Sequence, residues 1–107
     1  MVKRSPFTIV FAPETIEHLR AIESKHHGAI RDAIHEQLTY APDMETRNRK
    51  HLDDPAPFDA VWELRLGPQD RFRVLYEIGF ADQVVRILAV GEKRGNRLFV
   101  AGKEIET

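Results

Sequence analysis

Arg65, Arg71 and Arg73 lie at odd-numbered positions on either side of a Gly67-Pro68-Gln69-Asp70 turn, and Glu63 stands two residues before the first of them. Residues two apart in an extended chain project from the same face, so this spacing gathers three guanidinium groups and one carboxylate onto one surface if the flanking segments pair as strands. A guanidinium offers a planar fork of donors that matches phosphate oxygens. Two registers are compatible with the parity. Arg65 opposite Arg73 would set like charges face to face, which favours an anion between them, whereas Glu63 opposite Arg73 would make an ordinary cross-strand ion pair. A second basic cluster, Arg47, Arg49, Lys50 and His51, is the densest in the chain and also reads as a solvated loop.

Period-two alternation frames these residues. Trp62, Leu64 and Leu66 alternate with Glu63 and Arg65, and Phe72, Val74, Tyr76 and Ile78 alternate with Arg71, Arg73 and Glu77. Burying the apolar set beneath a helical layer forces the charged set onto an open face, with Arg73 exposed in mid-strand. After a turn at Gly79 to Asp82, the run Val84 to Val90 is apolar on both faces except at Arg86, as suits an interior strand. The tail from Gly91 to Thr107 mixes Lys93, Arg94 and Arg97 with Leu98-Phe99-Val100 and reads equally as strand or coil.

Upstream, Phe7 to Phe11 is short, β-branched and aromatic, with Phe7, Ile9 and Phe11 on one side, and predicts a strand. Pro13 to Ser24 predicts a helix, with Ile16, Leu19 and Ile22 inward, and about His27 to Tyr40 predicts a second, with Ile30, Ala33, Ile34 and Leu38 inward. Joined so closely, the two should form an antiparallel hairpin. Ala41 to Asp59 predicts a long loop anchored by Met44, Leu52 and Phe58; loops of that length inside small domains are commonly functional. Strand, helix, helix, loop and meander together predict an α+β fold with both helices on one face of a mainly antiparallel sheet.

With 107 residues, 42% of them hydrophobic, residues 1 to 107 are expected to form one domain. The absence of cysteine excludes disulfides and thiolate metal sites and favours a reducing compartment. Lys3 and Arg4 are followed by no apolar run long enough for a signal peptide or membrane span, so a cytoplasmic protein is expected. The net charge of −1 gives no overall attraction to nucleic acid, so any such binding must come from local clusters. His18, His26, His27, His35 and His51 lack metal-ligand spacing and are expected to be solvent-exposed; no metal and no cofactor is expected. Gly91-Glu92-Lys93-Arg94-Gly95 lacks the Gly-Lys-Ser/Thr ending of a triphosphate loop.

The stretches Trp62-Glu63-Leu64-Arg65-Leu66, Arg71-Phe72-Arg73-Val74-Leu75-Tyr76-Glu77-Ile78 and Val84 to Gly91 with Glu92-Lys93-Arg94 resemble the C-terminal half of RelE/ParE-type toxins. The two-helix start and the loop containing Lys50-His51-Leu52 fit the same layout, so the resemblance spans nearly the whole chain. It implies the toxin of a type II toxin–antitoxin system, bound by a cognate antitoxin that covers the basic face. Its activity would be metal-independent cleavage of mRNA on the ribosome, or else inhibition of DNA gyrase; an inactive member that only binds its antitoxin is a third reading. For cleavage, the resemblance makes Arg65 and Arg73 phosphate-stabilising groups and Arg94 a further catalytic arginine, with Arg97 competing for that role. Arg47, Arg49, Lys50, Arg71, Lys93, Arg97 and Phe99 would contact RNA. Glu63 stands where the nucleolytic pattern has lysine, and Phe99 where it has tyrosine. Phenylalanine can stack on a base but cannot transfer a proton, which leaves Glu63 or His51 as the base.

Overall fold

The computed structural model describes residues 4–106; Lys3 and Thr107 lie outside the described residues. Seven strands form one sheet, β1 (Thr8–Phe11), β2 (Arg49–His51), β3 (Trp62–Leu66), β4 (Phe72–Gly79), β5 (Val84–Arg94), β6 (Arg97–Val100) and β7 (Lys103–Ile105). They are ordered β2-β3-β4-β5-β6-β7, all antiparallel, and β1 joins the sheet parallel to β5. Two helices, α1 (Thr15–Arg20) and α2 (His27–Leu38), precede β2. α1 packs on β5 and α2 on β3. No helix among the described residues is long and apolar enough to cross a membrane.

The expected parity sets the main core. Trp62, Leu64, Leu66, Phe72, Val74 and Tyr76 are buried with Ile22, Ile30, Ile34 and Leu38 from the helical layer. Trp62 stands opposite Tyr76 in the β3/β4 ladder and stacks on it, centroids 6.2 Å apart. The Tyr76 hydroxyl donates to the Pro42 carbonyl at 2.6 Å, and burial pushes its pKa upward. β5 carries a bulge: Leu75 faces Ala89 while Tyr76 faces Ile87, so Leu88 is an extra residue. The bulge keeps both Ile87 and Val90 on the helix side, where both are buried.

Several expectations change. The first helix is a short turn of six residues, and Ile16 points to solvent, 57% exposed, while Thr15, His18 and Ile22 face inward. The chain reverses after Arg20 and enters a 3₁₀ turn, Ser24–His26, so the face is rotated from the one that Ile16 implied. His27 ties this reversal together, its Nε2 lying 2.7 Å from the Leu19 carbonyl and 2.8 Å from that of Ile22. The histidines are therefore not uniformly exposed. His18 is 6% exposed, and its Nδ1 accepts from the Val90 N–H at 3.3 Å, beside the point where β1 stops pairing with β5. The long loop is also interrupted, because residues 49–51 pair with β3 as an edge strand. Of its three expected anchors, Met44 and Phe58 are exposed and Leu52 packs inward. The tail resolves into the end of β5 followed by β6 and β7.

Candidate anion-binding site

The ladder between β3 and β4 adopts the register that opposes Arg65 to Arg73, with Glu63 opposite Leu75. The like charges do not stand unrelieved. Glu63 Oε1 accepts from Arg65 Nε at 2.9 Å and from Arg73 Nη1 at 3.2 Å, so one carboxylate bridges both guanidinium groups. Parity and register together bring the three side chains to one face, since 63 and 65 share a face on one strand and 73 faces 65 from the next.

The triad is not fully open to solvent. The Arg73 side chain is 12% exposed, against the exposed position expected for it, and its Nε donates to the Asp70 carbonyl at 3.2 Å. Burial pulls the Arg73 guanidinium below its ordinary pKa; the Glu63 charge opposes that fall and the Arg65 charge adds to it. What covers the face is a second apolar cluster of Ala60, Leu75, Ala89, Leu98 and Val100, with Leu52 packed against it. The face opposite the helices is therefore part charged and part apolar, because β6 extends it with Leu98 and Val100 and the segment before β3 packs Leu52 and Ala60 against it.

Between these parts lies a cavity of about 410 Å³. Its charged lining is Glu63, Arg65, Arg73, Lys93 and Asp53, joined by the Asn96 amide. Its apolar wall comes from Leu52, Pro55, Ala56 and Pro57 beside Leu75 and Leu98. Gly91 faces Arg73 across β4 and β5 and lies against β6, where an added Cβ would come within 2.8 Å of the Phe99 carbonyl oxygen. Lys93, two residues on, shares the face of Gly91 and completes the cationic lining.

The other sequence-derived candidates go elsewhere. Arg94 pairs opposite Arg97, and alternation sends it to the face opposite Lys93. There its guanidinium lies over the Phe99 ring at 4.9 Å. Lys93, not Arg94, therefore supplies the third cation of the cavity. Arg97 lies 3.6 Å from Glu104, and Arg71 Nε donates to Glu92 at 2.6 Å, so both are engaged away from Arg73. Arg49 faces the helices opposite Leu64 and is buried; its Nη1 donates to the carbonyl and side-chain oxygens of Gln37, and its Nε to the Met44 carbonyl. His51 stands opposite Trp62, edge-on to its ring at 5.1 Å, and so lies across the sheet from Glu63. Lys50, opposite Glu63, and Arg47 are exposed and do not line the cavity.

Sequence reasoning missed Asp53, Asn96 and the Leu52 to Pro57 wall. The one signal that pointed there was the length of the proline-bearing loop. Among the described residues no three His, Asp or Glu side chains converge as a metal site requires.

No family model matches the sequence, and no curated protein matches it. The fold is similar to that of a chain in the crystal structure of the RelBE2 toxin–antitoxin complex from Mycobacterium tuberculosis. The two share 23% sequence identity with a TM-score of 0.68, over 85% of this chain and 95% of that one. The likeness is one of fold, and the chain has a RelE-like α+β fold.

Proposed function

We propose that the chain is the toxin of a type II toxin–antitoxin pair and that it cleaves mRNA on the ribosome, in the cytoplasm, without a metal ion. The observation that carries this reading is the Glu63 carboxylate held between Arg65 and Arg73 in a cavity that Lys93 also lines. The fold likeness to a chain of a toxin–antitoxin complex supports it. Cleavage by the neighbouring ribose 2′-hydroxyl needs a group to accept that proton, cations to hold the phosphate as negative charge builds, and a proton for the departing 5′-oxygen. Glu63 takes the 2′-hydroxyl proton. Arg65 and Arg73 then turn their donors to the phosphate oxygens, and Lys93 delivers a proton to the leaving oxygen. A cognate antitoxin, covering the same face with an acidic or apolar segment, would keep the cations from RNA.

A second reading has an observation of its own. Glu63 already answers the charge of two arginines, and neither Tyr76, buried under the helices, nor Phe99, on the other face, brings a proton to the cavity. A gyrase inhibitor, or an antitoxin-binding member without cleavage, needs none. Purified protein assayed in parallel for cleavage of ribosome-bound mRNA and for inhibition of gyrase supercoiling separates the readings. Cleavage products with supercoiling intact are expected; supercoiling loss without cleavage, or neither effect, would replace the nuclease reading.

A further inference from the structure

We infer that the cavity above Arg65 and Arg73 holds an entire nucleotide and selects its base, with Asp53 recognising guanine. This rests on the phosphate role proposed above for the two arginines. At about 410 Å³ the cavity falls within the range of small-molecule sites, roughly 300–1,000 Å³, and is far roomier than a phosphate group needs. Its charge is also lopsided. Arg65, Arg73 and Lys93 come from the strands, whereas Leu52, Pro55, Ala56 and Pro57 offer no donor side chain to an anion. A flat base laid on that wall removes apolar surface from water on both partners, so phosphate and base would each meet the lining that suits it.

Asp53 is the residue that the phosphate role does not explain. It lines the same cavity as a solvent-exposed residue, and among the described residues its carboxylate has neither an ion pair nor a hydrogen bond to another side chain, so it is free to meet a ligand's donors. A second carboxylate beside an anion site weakens that site unless it meets a donor on the ligand. A carboxylate accepts through two oxygens. Guanine is the base whose Watson–Crick edge sets two donors, N1–H and N2–H, side by side; adenine and cytosine present one amino group there, and uracil one imide. Guanine therefore satisfies both Asp53 oxygens at once.

The probes are inorganic phosphate and the four ribonucleoside 3′-monophosphates, titrated by NMR chemical shifts into the purified chain and into Asp53→Asn, with circular dichroism as the folding control. The 3′-phosphate matches the position of the scissile group relative to its base. Guanosine 3′-monophosphate should bind about tenfold more tightly than the other three, at the low end of what a bidentate base contact discriminates. The Asp53→Asn protein should lose that preference while retaining phosphate binding. Equal affinity for all four nucleotides alongside phosphate binding would overturn base selection, a preference for another base would overturn the guanine assignment, and either result would leave the anion site standing. A guanine preference that survives in Asp53→Asn would remove Asp53 as its source. Failure to bind phosphate or any nucleotide would overturn both this inference and the reading beneath it.

Discussion

Arg65 and Arg73 stand directly opposite each other on adjacent strands, and what permits this is a carboxylate from two residues before Arg65, 2.9 Å from one guanidinium and 3.2 Å from the other. Opposed like charges on a sheet are destabilising by a few tenths to about 1 kcal/mol unless an anion intervenes. The chain supplies that anion itself. Glu63 is therefore both the group placed to accept a proton and a competitor for the cations that a phosphate must use.

Replacing Glu63 separates those two roles. Glu63→Gln keeps the shape and removes the charge, so inorganic phosphate should bind more tightly, by about tenfold, since a charge-assisted contact is stronger than a neutral one by about 1 kcal/mol or more. Cleavage should fall by on the order of a hundredfold or more once the proton acceptor is gone. NMR titration with phosphate and a cleavage time course measure the two effects. Cleavage that is undiminished would remove Glu63 as the base, and unchanged phosphate affinity would remove it as a competitor.

Gly91, opposite Arg73 in the β4/β5 ladder, lies close against β6. Gly91→Ala would bring a Cβ to 2.8 Å from the Phe99 carbonyl oxygen and 2.9 Å from Val100 Cγ2, and neither backbone nor buried side chain can give way freely. The expected loss is about 1–3 kcal/mol, the usual range for overpacking. A urea titration checks it; a midpoint equal to the parent's would mean that β6 does not approach β5 as described.

Stability should also fall in mild acid. Burial lowers the pKa of His18 below its ordinary 6.5, although the nearby Glu14 charge resists the shift. The unfolded chain therefore binds a proton more readily than the folded one, so stability is fully present above about pH 6.5 and declines as the pH falls below it. Protonation also removes the acceptor for the Val90 N–H, a loss of about 1 kcal/mol. His18→Asn retains an acceptor that does not titrate and should flatten this part of the profile. Urea midpoints at pH 7.5 and pH 5 in parent and variant provide the measurement, and identical slopes would dismiss His18 as the source.

Parity was the most legible feature of the sequence. Alternation in Trp62 to Leu66 and Phe72 to Ile78 indicated which side chains are buried and which lie across the sheet, and it confined Arg65 and Arg73 to a short choice of registers. Two kinds of information were not local. Glu63 bridges the arginines through side-chain rotamers that a strand pattern does not carry, and the cavity wall depends on a proline-bearing segment folding back over the sheet. The same limit applies to Arg94 and Lys93. Adjacent in sequence, they are exchanged in role by the continuation of β5 past Gly91, which a reading that stopped the strand at Val90 could not fix. Arg49 and His51 were displaced for a related reason, because three residues of the presumed loop pair with β3 and acquire a parity of their own.

In the proposed reaction Arg73 presents its donors to the phosphate of an RNA substrate. Because its side chain is 12% exposed and also holds the Asp70 carbonyl, Arg73→Ala should lower stability by about 1 kcal/mol without unfolding the chain. The deciding measurement is the rate of cleavage of ribosome-bound mRNA by parent, Arg73→Ala and Arg73→Lys proteins, each shown to be folded by circular dichroism. Arg73→Ala should lose on the order of a hundredfold or more, as for removal of one preorganised donor, with partial recovery in Arg73→Lys, whose point charge cannot reproduce the fork. A folded Arg73→Ala protein that cleaves as fast as the parent would contradict this role for Arg73.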